Sequence, residues 1–222
     1  MKDYGYKIRK VFKKKERLSK NKVWEFWKTA AKESTADNSP NNYIKGKKRS
    51  VYLVNLIAKY LNKKSKILEI GCNVGRNLEY LHKNNFQNLT GVEINKEAIK
   101  LMRKTYPNLY KAAKIYISPV EDWMMKNKQE SFDLIYTVAV LEHIHWDSEF
   151  IFDIIKKISK KYIITIEDEF TPWSNRHFPR NYKNIFEDAS WKQIYNVNCG
   201  SIDILDDRFI VRVFEKFNNK EQ

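Results

Sequence analysis

From residue 66 onward the spacing of apolar residues switches repeatedly between two patterns. Short unbroken apolar runs, typical of strands covered on both faces, alternate with stretches in which apolar residues return every three or four positions, typical of helices. The alternation predicts strands at 66–70, 89–94, 113–117, 132–138 and 161–167, and helices at 75–84, 95–105, 119–127 and 147–159. Ahead of this block, "KVWEFWKTAAKE" (22–33) sets Val23, Trp24, Phe26, Trp27 and Ala30 at helical spacing, and "STADNSPNNY" stops it with turn residues and Pro40. A second helix lies in "GKKRSVYLVNLIAKYLNKKS", where Leu53, Val54, Ile57 and Leu61 share a face. Near the end the rhythm changes. "WKQIYNVN" (191–198) and "DRFIVRVFEKF" (207–217) alternate apolar and polar residues with no helix between them, which predicts an antiparallel pair at one sheet edge. The economical fold is α/β: a Rossmann-like, doubly wound, mostly parallel sheet with an antiparallel C-terminal hairpin and helices on both faces.

A chain of 222 residues fits one domain of ordinary size with an extension. The expected division is a basic N-terminal arm and lid helix over 1–40, then one α/β domain over 41–222. The longest apolar runs, such as "LIYTVAVL", fall far short of a membrane span, and no start of the secretory kind is visible, so a cytoplasmic protein is expected. With only Cys72 and Cys199 present, a disulfide framework is not expected. The formal charge of +15 points toward anionic partners, but 33 Lys stand against 9 Arg, and base reading and bidentate phosphate contacts favour Arg. Nucleic acid is therefore a possible partner but not the favoured one. Residues 1–22 hold ten of the basic residues against Asp3 and Glu16, a net charge of +8 and more than half the excess.

In "KILEIGCNVGRNLEYL" (66–81) a strand runs through a glycine turn into a helix. Such a turn brings backbone N–H groups and a helix N-terminus close to a polar ligand. Glu93, at the tip of the next strand, stands where an acidic side chain can accept hydrogen bonds from both ribose hydroxyls. The dinucleotide fingerprint G-x-G-x-x-G is absent, because the turn reads Gly71-Cys72-Asn73-Val74-Gly75. The stretch resembles motif I of the class I S-adenosylmethionine-dependent methyltransferases, with Glu69, Gly71, Asn73 and Gly75 at the matching places. The resemblance continues through "GVEIN" (91–95), "SPVEDW" (118–123), "FDLIYTVAVLEHI" (132–144) and the terminal hairpin, and makes 41–222 a methyltransferase domain. It implies S-adenosylmethionine as cofactor. Gly71, Asn73 and Gly75 would bracket its methionine part and Glu93 its ribose, with Ile94 beside the adenine. Val120, Glu121 and Asp122 would lie along the adenine rim, and Thr137 and Val138 would close the pocket. Pro119 replaces the Asp that many relatives use for the adenine amine.

Methyl transfer is an in-line displacement, so the protein aligns the partners and removes a proton where the acceptor requires it. The acceptor is expected over the carboxyl ends of the fourth and fifth strands, between His143–Trp146 and Glu167–His177. His143 is the first candidate base, because an unperturbed imidazole titrates near neutrality, followed by Glu167 and His145. Nothing in the spacing requires a metal. Trp24 and Trp27 are expected as core contacts of the first helix, while Tyr43 and Arg49 are candidates to reach the pocket from a lid, the Arg toward the methionine carboxylate. The expected activity is methyl transfer to an oxygen or nitrogen of a small molecule such as a sugar or glycan precursor. The alternatives are an RNA methyltransferase gripping RNA with its basic arm, and a cofactor-binding protein without catalysis. The sequence sets no oligomeric state.

Overall fold

A computed structural model describes residues 17–30, 38–170 and 173–217. Most of the basic arm, residues 1–16, and the end of the first predicted helix lie outside them. Among the described residues seven strands form one sheet: β1 (Lys66–Ile70), β2 (Asn88–Glu93), β3 (Lys114–Ile117), β4 (Phe132–Val138), β5 (Ser159–Asp168), β6 (Trp191–Asn198) and β7 (Phe209–Lys216). The order across the sheet is β3-β2-β1-β4-β5-β7-β6. The first five strands are parallel, and β7 lies between β5 and β6, antiparallel to both.

The strands are apolar throughout because both faces are covered. Along β1, Ile67 enters one core and Leu68 the other; along β4, Leu134 and Tyr136 enter the first and Ile135 the second. The first core takes Leu53 and Ile57 from α2 (Lys47–Tyr60), Leu78 from α3 (Arg76–Lys83), Met102 from α4 (Lys96–Thr105) and Leu109 from α5 (Pro107–Ala112). Behind the other face stand Trp123 of α6 (Val120–Lys126), Ile151 and Ile155 of α7 (Phe150–Ile158) and Tyr182 of the short α8 (Tyr182–Phe186).

Most predicted elements are present within a residue or two, and the exceptions have local causes. Pro107 opens α5, where its fixed φ and missing N–H are tolerated, although as a sequence signal it reads as a break. The predicted helix 147–159 is divided: Trp146–Ser148 forms a separate 3-10 turn, and α7 stops at Ile158 because β5 already starts at Ser159. The first helix, α1 (Lys20–Thr29), buries only Val23 within its length. No described helix is long and apolar enough to cross a membrane.

Candidate active site

The turn after β1 requires its two glycines. Gly71 has φ +69°, and a Cβ there would stand 2.4 Å from Val140 Cγ2; Gly75 has φ +72°, and a Cβ would meet the Met102 side chain at 2.6 Å. Asn73 takes the third positive φ, +47°, a conformation that Asn tolerates better than most residues. Its N–H donates to Glu93 Oε2 at 2.9 Å, and the N–H of Asn95 donates to Glu93 Oε1 at 2.7 Å. Burial pushes the Glu93 carboxyl upward, and these N–H groups oppose the shift. Glu69 is buried, accepts from Asn77 Nδ2 at 2.7 Å, and is pushed up to about 7 by desolvation.

A polar chain ties this turn to the segment before it. Ser50 Oγ donates to Asn77 Oδ1 at 2.8 Å, Arg76 Nε donates to Ser50 Oγ at 2.9 Å, and Arg76 Nη1 donates to the carbonyls of Tyr43 and Lys45. The 3-10 turn Pro40–Ile44 and the start of α2 are thereby held at the mouth of the turn, and Tyr43 and Arg49 enter the cavity. Desolvation, then the neighbouring Arg76, lowers Arg49 to about 10. Arg49 Nε and Asn73 Oδ1 are buried at this end, with no hydrogen-bond partner among the described residues.

The cavity encloses about 1040 Å³, its open mouth included. Glu69, Gly71 and Asn73 line one end, and Glu93, Ile94, Val120 and Glu121 line the side toward β2 and α6. Val138 and His143 line the side toward β4. The roof is α1. Trp24 and Trp27 face the cavity and are not core contacts: Trp24 Nε1 donates to Glu121 Oε1 at 3.0 Å, and the Trp27 ring lies 4.6 Å from that of His143. The helix is also fastened outside the cavity, with the Arg176 guanidinium 3.7 Å from the centre of the Phe26 ring and the Leu18 N–H donating to the Asn175 carbonyl at 2.9 Å. A helix carrying two Trp but only one interior side chain reads as a cover, a sign that the apolar spacing of 22–33 alone does not give.

Residues 46–218 match a family model described as "Methyltransferase domain". The chain belongs to this methyltransferase family. Among solved structures, magnesium protoporphyrin IX methyltransferase from Synechocystis PCC 6803, with S-adenosylhomocysteine bound, aligns with TM-score 0.66 and 11% identity over 89% of this chain and 99% of that one. Phosphoethanolamine N-methyltransferase 1 from Haemonchus contortus aligns with TM-score 0.64 and 12% identity; 92% of this chain covers 51% of that one, about half its length. The methyltransferase domain of bacterial CtHen1-C aligns with TM-score 0.60 and 14% identity, over 77% and 98%. At these identities the likeness shows the fold. No curated protein matches the sequence significantly. The strand order with an antiparallel β7 is that of class I, and the methyltransferase is S-adenosylmethionine-dependent.

Several of the residues expected at the site stand away from where the sequence reading puts them. Gly75 caps α3 and packs on Met102, Asp122 is exposed, and Thr137 is buried beside Glu167; none of the three lines the cavity. His143 does line it, but its Nδ1 pairs with the Arg176 carbonyl at 3.0 Å and its Nε2 lies 3.5 Å from Glu142 Oε1. Burial, then the neighbouring His177, lowers its pKa to about 3, so the near-neutral imidazole expected from sequence is not present. His145 lies off the cavity, its ring edge-on to Phe178 at 5.0 Å and its Nδ1 accepting the Asp147 N–H at 3.1 Å as the cap of a 3-10 turn. Glu167 is also off the cavity and fully buried. Its Oε2 accepts from the N–H groups of Val140 (2.9 Å) and Glu142 (3.3 Å), which fixes the loop after β4 in place.

Proposed function

We propose that this methyltransferase transfers the methyl group of S-adenosylmethionine to an oxygen or nitrogen of a small molecule, of the sugar or glycan-precursor class. The observation that carries this reading is the roof. Trp24 and Trp27 cover part of the cavity and leave it an open mouth, a shape that suits one small acceptor better than a polymer tracked along an uncovered trough. Aromatic faces there also suit the apolar face of a sugar ring.

Gly71 and Asn73 hold the methionine part through the close approach of their backbone, and Gly75 keeps the turn in shape. Arg49 meets the carboxylate, since its buried Nε lacks a partner and a guanidinium matches that group. Glu93 accepts the ribose hydroxyls on lone pairs left over by Asn73 and Asn95, while Ile94 and Val120 face the adenine. At the acceptor end, Val138, His143 and Trp27 fix the nucleophile in line with the methyl carbon, and alignment is the main contribution of the protein to such a displacement. His143 shapes the wall, because both ring nitrogens face protein atoms.

Incubation with labelled methyl donor and fractionated cell extract tests the reading. Label in a small-molecule fraction is the expected result. Label in RNA would replace it with the RNA reading, and tight cofactor binding with no label in any fraction would make the chain a cofactor-binding protein without catalysis.

A further inference from the structure

A second cavity opens at the opposite end of the sheet, where the strands begin. β3 starts late: its first residue, Lys114, stands beside Thr90, whereas β1 pairs with β2 from Asn88 onward. Asn88 and Leu89 therefore have no β3 residue beside them, and the cavity lies at this notch, bounded by Trp123 of α6 and Phe132 at the start of β4. It encloses about 580 Å³, its open mouth included, within the range of about 300–1,000 Å³ usual for small-ligand clefts. None of its lining residues lines the first cavity.

Three kinds of group meet there. Leu89, Trp123 and Phe132 are buried and make the inner wall apolar, and the Tyr116 ring, 5.6 Å from that of Trp123 and 39% exposed, carries the aromatic surface outward. Trp123 is 4% exposed, and its buried Nε1–H has no hydrogen-bond partner among the described residues. Interiors seldom leave such a donor unpaired unless water or a ligand supplies the missing acceptor. At the rim, the side chains of Lys66, Lys114 and Glu130 are exposed. Neither Lys66 nor Lys114 belongs to an ion pair among the described residues, and the neighbouring carboxylate, Asp133, is taken by Lys161 at 3.2 Å and by the backbone N–H of Lys66 at 2.9 Å.

These groups narrow the occupant. An apolar molecule leaves the indole N–H and both ammonium groups unused, and a bare anion leaves the aromatic wall uncovered. A flat heteroaromatic ring carrying an acceptor atom and a phosphate uses all of them: the ring lies on Tyr116, a ring carbonyl or nitrogen takes the Trp123 N–H, and the phosphate meets the lysines. Glu130 can accept from a ribose hydroxyl or an exocyclic amine.

We propose that this cavity binds a nucleoside monophosphate, with Tyr116 and Trp123 holding the base and Lys66 and Lys114 the phosphate. Binding there does not depend on the function proposed above, because the two cavities share no side chain.

The test follows the indole N–H signals in proton–nitrogen correlation spectra of the full-length protein, with S-adenosylhomocysteine in excess to fill the first cavity. The probes are AMP, GMP, CMP and UMP, with inorganic phosphate and ribose as separate controls. The Trp123 signal is assigned by its loss in Trp123→Phe or, should that protein not fold, by its nuclear Overhauser contacts with Tyr116. At least one nucleotide should move the Trp123 signal saturably while those of Trp24 and Trp27 stay in place. Phosphate and ribose should not reproduce the shift. The double variant Lys66→Ala/Lys114→Ala, altered only at exposed side chains, should bind that nucleotide about tenfold or more weakly. A Trp123 signal unmoved by every nucleotide at millimolar concentration, the same shift with phosphate alone, or undiminished affinity in the lysine variant would overturn the proposal.

Discussion

The two ends of the cavity are built differently. At the cofactor end, a turn of five residues sets the geometry through its own backbone: two glycines and an asparagine at positive φ, and one carboxylate that gathers the N–H groups of Asn73 and Asn95. At the acceptor end nothing is local. His143 is placed by a carbonyl 33 residues away and lies against Trp27 of α1, and Glu167 holds the N–H groups of Val140 and Glu142 from a neighbouring strand. A local site tolerates change elsewhere but not within itself, whereas a site assembled from distant segments depends on how those segments pack. The predictions below test that contrast.

The largest effect is expected at Gly71. An alanine there combines a positive φ with a Cβ driven into Val140, and strain of the two kinds together costs about 2–5 kcal/mol of stability. Chemical denaturation checks this, and a Gly71→Ala protein as stable as its parent would show that the turn can rearrange.

A similar magnitude is expected from pH. The raised pKa of Glu69, from 4.5 to about 7, means that the unfolded chain releases this proton first. The contribution of Glu69 is therefore fully present below about pH 4.5 and is lost as pH rises through about 7, a change of about 3 kcal/mol. Glu69→Gln should flatten that part of the stability profile. An unaltered profile in the variant would mean that another group carries the dependence.

Glu93→Ala should weaken S-adenosylmethionine binding by about 1.5–3 kcal/mol, the scale for hydrogen bonds to a charged group. Calorimetry with cofactor and with its demethylated product measures it. Full affinity in the variant would mean that the ribose is held elsewhere.

How much was legible in the sequence follows the same division. Strand boundaries and the glycine turn could be read because period, glycine and asparagine act over a few residues, and 66–70, 132–138 and 191–198 agree to the residue. The helix that Pro107 opens was not predicted, because a helix start and a helix break use the same residue. At the acceptor end, residue type showed which side chains carry chemistry but not which way they turn. His143 looked like a base until the Arg176 carbonyl and Glu142 were seen to face both nitrogens. Glu167 looked like a second candidate base and is instead an internal anchor for the next loop. Arg76, Asn77 and Ser50 went unnoticed because their joint role is visible only once α2 lies over the turn.

The smallest effect is expected in the roof, and it decides whether the two ends are independent. Trp24→Phe keeps an aromatic ring facing the cavity and removes only the N–H that reaches Glu121. Because α1 buries so little of itself, that bond and the contacts of Trp27 with His143 and Phe26 with Arg176 are a large part of what keeps the helix seated. Losing one partly buried hydrogen bond costs about 0.5–1.5 kcal/mol, and the cost should appear as faster cofactor dissociation, with the unfolding midpoint of the whole domain barely moved. Stopped-flow displacement of bound cofactor measures it. A variant that releases cofactor at the parental rate would show that the roof serves the acceptor end alone. A loss as large as that of Glu93→Ala would show that the roof belongs to the cofactor site as fully as the turn does, and the contrast between a local and an assembled end would no longer hold.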